Sequence, residues 1–199
     1  MASDVLYLVK RTFVNPKDPI ETRFNVDIPA AFTDLKAAKE KAKRVLIDEG
    51  YEKDFFPLYV INNGSSDWKH GDGVIIYAEG PSRELFKVEI ETVPNREELE
   101  PDETGRIGRP LHHILQTMIH YDEDRSGSRR DSVVEGTYID RNAARNRALE
   151  VLLDGNTKKD FAEYDEYSNE EDSPFGPDVV VHAIKDNGEN ILVSIVSKY

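Results

Sequence analysis

The chain of 199 residues can form one or two compact domains, and its 38% hydrophobic content supports small cores rather than one large interior. A net charge of −13 argues against binding to nucleic-acid backbones or anionic membranes, and it favours a protein partner with a basic surface. The chain contains no cysteine, which excludes disulfide frameworks, thiol catalysis and cysteine-ligated zinc.

The first residues, MASDVLYLVKRTF, do not have the pattern expected of a secretory signal. An acidic residue, Asp4, stands where a signal peptide carries positive charge, and Lys10 and Arg11 interrupt the apolar run. No segment approaches the roughly 18 apolar residues that a membrane-spanning helix needs. We therefore expect a cytoplasmic protein that does not bind membranes.

The first half of the chain predicts two strands followed by a helix. Residues 5–14, VLYLVKRTFV, are rich in β-branched and apolar residues, which is typical of a strand. Residues 23–31 predict a second strand. Thr33 or Asp34 can then cap a helix whose apolar residues recur on one face.

Two further strands close the first half. They are GVIIYAE (73–79) and ELFKVEIETV (84–93), and the intervening Gly-Pro-Ser-Arg is suited to a hairpin turn. In the second of these strands, apolar and charged residues alternate. This pattern predicts that the charged residues Lys87, Glu89 and Glu91 face water.

The second half of the chain repeats the first. DLKAAKEKAKRVLIDEGYEKDF (34–55) aligns without gaps with DRNAARNRALEVLLDGNTKKDF, 106 residues later, and the two share ten identical positions. The same offset places VLYLVKRTF over LHHILQTMI (111–119). At an offset of 105, residues 73–92 lie over 178–197. These matches indicate a tandem duplication.

The repeat predicts an α+β fold built from two ββαββ units. Each unit would be a four-stranded, mainly antiparallel sheet with one helix on a face. The expected boundaries are 1–94 for the first repeat, 95–110 for a charged linker and 111–199 for the second repeat. We expect the repeats to pack as an intramolecular pseudo-dimer, either as a monomer or within a homo-oligomer.

The order of a VLYLVKRT-like strand, the FTDLKAAKEKA helix start and a closing hairpin resembles a group of small fungal proteins of uncharacterised function. The resemblance covers nearly the whole chain, in two copies. Its motifs are structural, so it implies no activity and assigns no functional residues.

Tyrosine and histidine occupy aligned strand positions, with Tyr7 over His113 and Tyr77 over His182. If the strands that carry them are neighbours, each pair could meet across one sheet face. A histidine pair could bind a transition metal or transfer protons, so His113 and His182 are candidate ligand-binding residues, with Tyr7 and Tyr77 as their counterparts. Alternatively, both residue types are amphipathic and merely suit a half-buried sheet surface.

The loop NNGSSDWKHGDG (62–73) contains Trp68, the only tryptophan. Its length and its mixture of polar and aromatic residues are typical of a binding loop. The alternative is that Trp68 covers the end of the core.

A second loop region, DFAEYDEYSNEEDSPFGPD (160–178), interleaves aromatic residues with eight carboxylates. It could dock a basic partner, hold a cation loosely or simply solvate the surface, and solvation is favoured because most charge runs do only that. It lacks the ligand spacing of a helix–loop–helix calcium site.

No catalytic motif is present, which favours a non-catalytic protein-interaction or scaffolding function. We expect no cofactor and no bound metal. The alternative is a small-molecule-binding protein or enzyme with a pocket between the repeats, in which His113 and His182 act together.

Overall fold

The computed structural model describes residues 3–19, 23–168 and 173–198. The chain divides into two compact units, residues 1–108 and 109–199. Each unit contains a five-stranded antiparallel sheet and little helix, so the predicted α+β class is confirmed. Among the described residues, the helices are all too short or too polar to cross a membrane.

The sheet of the first unit has the strand order β2-β1-β5-β4-β3. Its central strands are long, and every pair is antiparallel. The strands are β1 (Val5–Val14), β2 (Phe24–Phe32), β3 (Leu58–Ile61), β4 (Val74–Glu79) and β5 (Leu85–Pro94).

The sheet of the second unit repeats this arrangement, with the order β7-β6-β10-β9-β8. Its pairs are also antiparallel throughout. The strands are β6 (Leu111–Ile119), β7 (Arg130–Tyr138), β8 (Phe161–Glu166), β9 (Val179–Lys185) and β10 (Asn190–Lys198).

One helical segment crosses a face of each sheet. In the first unit it consists of α1 (Leu35–Ala42) and the short α2 (Val45–Asp48), and in the second it is α3 (Arg141–Glu150). Each begins at an aspartate, because the carboxylates of Asp34 and Asp140 both accept a backbone N–H three residues later at 2.7 Å.

The sheet face under each helix, called here the helix face, carries the core of its unit. Small residues on the helices, Ala38 and Ala42 in the first unit, let the backbone of the helix approach the sheet closely. Aromatic and branched side chains fill the remaining space. In the first unit these include Val9, Leu46, Phe56, Ile76 and Phe86, and in the second Ile114, Leu152, Val181, Ile191 and Ile195.

Each sheet has five strands, so the predicted number of four is one too small. The additional strands are β3 and β8, which lie at corresponding edges beside β4 and β9. β3 was missed because it has only four residues and follows Pro57, a strand breaker. β8 was missed because its sequence, FAEYDE, carries acidic residues where a strand usually carries apolar ones.

The first strands of the two units correspond at an offset of 105 rather than the 106 assumed from the sequence. Tyr7 pairs with Phe32, and His112 pairs with Tyr138. Phe32 and Tyr138 each lie two residues before the aspartate that caps the helix. The structural counterpart of Tyr7 is therefore His112. The error arose because both faces of these strands are largely apolar, so the alternation does not fix their register.

Residues 95–108 lie within the first unit. The side chains of Leu99 and Ile107 are buried, and Asn95 hydrogen-bonds the backbone N–H and carbonyl of Leu99. Arg106 forms a β-bridge with Phe32 at the end of β2. The segment thus covers the outer edge of β2 near its C-terminal end.

Candidate functional site

The structure does not bring the two candidate histidines together. His113 lies on β6 and His182 on β9, and β10 runs between these strands. His113 is opposite Val196 and His182 is opposite Leu192, so the histidines are separated by two strand spacings, about 10 Å, and by four residues along β10.

His113 is 1% exposed and faces away from the helix. Its Nδ1 lies 3.0 Å from the hydroxyl oxygen of Thr137 on the neighbouring strand. A fully enclosed imidazole with a polar neighbour in the sheet has the features of a structural residue. Its sequence neighbour His112 lies on the other face, and burial, followed by the charge of Arg141, lowers the pKa of His112.

The candidate tyrosines lie on opposite faces of the first sheet. Tyr7 packs against the core on the helix face. Tyr77 lies between the core residues Ile76 and Ala78, so it projects from the opposite face. The two tyrosines therefore cannot form one site.

Trp68 and Tyr77 do meet, through a histidine between them. The ring of His70 stacks on Tyr77 with centroids 3.9 Å apart, and Trp68 packs edge-on against His70 at 4.8 Å. The indole N–H of Trp68 donates to the carbonyl oxygen of Gly71 at 2.9 Å. Burial, assisted by a hydrogen bond to Glu79, raises the pKa of Tyr77. The loop is therefore folded onto the sheet.

An open depression lies beside the end of the α2 helix in the first unit. It has a volume of about 450 Å³ and is lined by Gly50, Tyr51, Glu52, Asp54 and Phe55. Phe55 is 40% exposed although its ring packs against the ring of Tyr51 at 5.5 Å. The depression thus combines an accessible aromatic surface with two carboxylates.

The edge strand β3 continues from this depression. It pairs only with β4, so its outer edge has no strand neighbour among the described residues. Asn62 donates its backbone N–H to Ile75 on β4, and the alternation of antiparallel pairing then turns the N–H groups of Tyr59 and Ile61 outward. Leu58 and Ile61 are 38% and 36% exposed, so this edge is both unpaired and apolar.

A buried lysine lies in the middle of the first sheet, on the face opposite the helix. Lys10 is 3% exposed, and its ammonium group contacts Glu89 and Glu91 at 2.7 Å each. Burial alone would lower the pKa of Lys10, but the two carboxylates raise it above its ordinary value. Burial would likewise raise the pKa of Glu89, and the charge of Lys10 holds it below its usual value. Lys10 and Glu89 are therefore both charged.

The edge strand β8 has a different chemistry from β3. Glu163 and Asp165 project from the face opposite the helix, and Asp165 pairs directly with His182 on β9. One ligand atom from each of these three residues lies within 4.8 Å of the other two. Both carboxylates are exposed, whereas His182 is buried, with its ring against Phe175 at 4.4 Å.

Sequence reasoning identified two of these groups of residues only in part. It selected His182 but paired it with His113, from which β10 separates it, because it assumed neighbouring strands and did not include β8. It placed Glu89 and Glu91 in water, whereas both pair with Lys10. The sequence did contain a signal for this ion cluster. Lys10 interrupts a largely apolar strand, and acidic residues alternate with apolar ones in the strand that pairs with it.

Comparison of the chain with protein-family models, with curated proteins and with solved structures gave no match.

Proposed function

We propose that the protein is a non-catalytic interaction protein, and that an extended, basic segment of a partner protein adds to the outer edge of β3. The observation that carries this proposal is the exposed, unpaired and apolar edge formed by Leu58–Ile61. Addition of a strand satisfies the backbone groups of such an edge, and the side chains beside it supply specificity.

Natural sheets usually protect an exposed edge with charge, proline or a covering segment. The outer edge of β2 is covered near its end by residues 105–107, and β8 carries acidic side chains. β3 carries no charged residue in its sequence, LYVI, and no covering segment among the described residues; its protection is limited to its length of four residues and to Pro57 before it. An apolar edge without the cover of β2 or the acidic side chains of β8 is suited to accept a strand.

The charge around β3 favours a basic partner. Residues 49–79 contain six carboxylates and two lysines, a local balance of −4 before histidine is counted. Glu52 and Asp54 line the depression that leads to β3, and the exposed Phe55 lies beside them. A partner strand with alternating apolar and Lys or Arg residues would contact both the apolar edge and these carboxylates.

The alternative hypothesis was a small-molecule site in which His113 and His182 act together. It has less support because β10 separates these residues within their own sheet. The two histidines do not contact each other, and acid–base catalysis by a pair of side chains requires that the two lie within hydrogen-bond distance of each other or of a shared substrate. It stays a prediction without a structural observation in its favour.

The similarity of the two sheets supports a tandem duplication as the origin of the two units. Both have the same strand order, and both helices begin at an aspartate cap. We propose that the ancestral unit was a ββαβββ element, which is the expected ββαββ unit with the short edge strand, β3 or β8, added between the helix and the last two strands. The expected pseudo-dimer packing stays a prediction.

The proposal is tested with a displayed library of random peptides of about ten residues, long enough to form one strand. We expect selection on the full chain to enrich peptides with alternating apolar and basic residues. In ¹⁵N-labelled protein, these peptides should shift the backbone amides of Tyr59 and Ile61. Ile61→Pro removes an outward N–H without removing a bond to β4, and it should reduce peptide affinity about tenfold or more.

Glu166→Pro is the matched control, because Glu166 occupies the position of Ile61 in β8 and its N–H also faces outward. It should leave peptide binding unchanged. Peptides that bind Ile61→Pro as tightly as the native chain, or that shift only amides remote from β3, would contradict the proposal.

A further inference from the structure

Three residues of the second unit form a cluster that the proposed function does not use. Asp165 on β8 is opposite His182 on β9, and Glu163 lies two residues earlier on the same face of β8. Among the described residues, neither carboxylate forms an ion pair or hydrogen bond with a lysine or arginine. Exposed carboxylates without such a partner are ordinary in a chain with many carboxylates. This cluster differs because its third residue, His182, is a buried histidine.

The hydrogen bond to Asn190 fixes the tautomer of His182. Nε2 lies 2.7 Å from the side-chain carbonyl oxygen of Asn190, which can only accept a hydrogen bond, so Nε2 carries the proton. In the neutral imidazole, Nδ1 then carries the lone pair. Nδ1 lies 3.9 Å from Asp165 Oδ2, too far for a hydrogen bond, and it has no other partner among the described residues.

A histidine nitrogen that lies near two carboxylates, on a ring whose other nitrogen donates to a carbonyl oxygen, is the arrangement of a metal ligand with its supporting hydrogen bond. We propose that Glu163, Asp165 and His182 bind a divalent first-row transition metal of the Zn²⁺ type. This departs from the expectation of no metal that the sequence supports.

The separation of the ligand atoms fits such an ion after a small side-chain movement. A tetrahedral zinc with bonds of about 2.1 Å holds its ligand atoms about 3.4 Å apart. The three ligand atoms already lie within 4.8 Å of one another. His182 is held by Asn190 and the sheet, whereas the exposed carboxylates of Glu163 and Asp165 can rotate toward it. Water would complete the coordination.

The donor set selects the class of metal. Mg²⁺ and Ca²⁺ prefer oxygen ligands only, and an imidazole gives them little. Zn²⁺, Co²⁺ and Ni²⁺ accept a nitrogen together with carboxylate oxygens. The absence of cysteine from the chain removes the thiolates that would compete for such an ion.

The first unit provides an internal comparison at the same three positions. The strand pairings place Leu58, Val60 and Tyr77 where the second unit has Glu163, Asp165 and His182. Asn190 corresponds to Leu85, which cannot accept a hydrogen bond. All three ligands and the residue that orients the histidine are therefore specific to the second unit.

The test is calorimetric titration of the full chain with Zn²⁺, near neutral pH and with excess Mg²⁺ present. We expect one saturable site. Asp165→Asn and Glu163→Gln change exposed side chains without affecting the core, and each should weaken Zn²⁺ binding about tenfold or more. His182→Tyr, which installs the residue of the first unit, should abolish it. His120→Gln is the control, because His120 contacts Asp131 at 2.8 Å outside the cluster.

The position of the metal is checked by the ¹⁵N resonances of the histidine rings. Zn²⁺ should shift Nδ1 of His182 and leave the ring nitrogens of His120 unchanged. The proposal is overturned by an absence of saturable Zn²⁺ binding. It is also overturned if Asp165→Asn and Glu163→Gln bind Zn²⁺ as the native chain does, or if the Nδ1 resonance of His182 does not move.

Discussion

The two sheets have the same strand order, but they differ in where charged side chains replace apolar ones: at the centre of the first sheet and at the edge strand of the second. In the first unit the charges lie at the centre, where Lys10 pairs with Glu89 and Glu91, and the edge strand β3 is apolar. In the second unit the edge strand β8 is acidic. The centre holds Leu115, Ser194 and Val196 at the positions of the charged cluster.

The helix faces differ much less. Ala38 and Ala42 are matched by Ala144 and Ala148, and both helices start at an aspartate. Close packing of a helix on a sheet tolerates few changes in volume, so this face constrains the sequence. The comparison indicates that the helix face specifies the fold, while the opposite face and the edges are free to acquire different chemistry.

The largest effect is expected from Lys10→Leu, which introduces the residue of the second unit at the centre of the first sheet. Loss of the ammonium group removes the cation that Glu89 and Glu91 share and leaves Lys87, at 2.9 Å, beside Glu89. We expect the free energy of unfolding to fall by about 3 kcal/mol. Urea denaturation of the variant and the native chain measures this difference.

The matched control replaces the whole cluster, as Lys10→Leu/Glu89→Ser/Glu91→Val. Because an ion cluster can be exchanged for apolar residues at little cost, this variant should regain stability to within about 1 kcal/mol of the native chain. If the triple variant is as unstable as Lys10→Leu alone, the two sheet centres are not interchangeable and the comparison fails.

A smaller effect is expected when the pH is lowered, and the pKa of Glu89 determines the direction in which stability changes. The folded-state pKa of Glu89 is depressed, so its contribution to stability is present above its unfolded-state value, near 4.5, and is lost as the pH falls through the folded-state pKa. The triple variant lacks this contribution. Its stability relative to the native chain should therefore rise as the pH is lowered below about 4.5.

Urea midpoints of both proteins, measured from neutral pH down to the onset of acid unfolding, provide this comparison. A difference that stays constant over the whole range would mean that folding does not lower the pKa of Glu89. At alkaline pH, the raised pKa of Lys10 predicts that the contribution of Lys10 persists to values above 10.5 and is then lost.

The smallest effect concerns the feature that the units share. Asp34→Ala and Asp140→Ala each remove a cap hydrogen bond of 2.7 Å, and each should cost about 1 kcal/mol in the unit that carries it. Asp→Asn at either position retains an accepting oxygen and should cost less. Unequal losses in thermal or urea unfolding would mean that the helices are not equivalent.

The sequence was sufficient to predict the elements that have strong periodicity. β1, β4, β5 and their counterparts alternate or run apolar for many residues, and the helix caps have a definite residue type. β3 and β8 were not predictable because a short edge strand buries little, and its formation depends on the neighbouring strand rather than on its own residues.

The candidate sites were less predictable because each joins residues that are distant in sequence. Lys10 and Glu89 are 79 positions apart, and only the pairing of β1 with β5 brings them together. The cluster of Glu163, Asp165 and His182 depends on β8, which had not been recognised. Trp68 and Tyr77 were selected separately, and the stacking of His70 between them could not be foreseen from composition.

The enclosure of the Lys10 amine has a consequence for the chemical reactivity of the first unit. Acylating reagents need an accessible, uncharged amine, and Lys10 offers neither while β1 and β5 remain paired. Lys36 and Lys39, on the exposed side of α1, react freely in the same solution and calibrate the reagent. The rate at which Lys10 is labelled therefore records how often the central strand pair opens, residue-specifically and under native conditions.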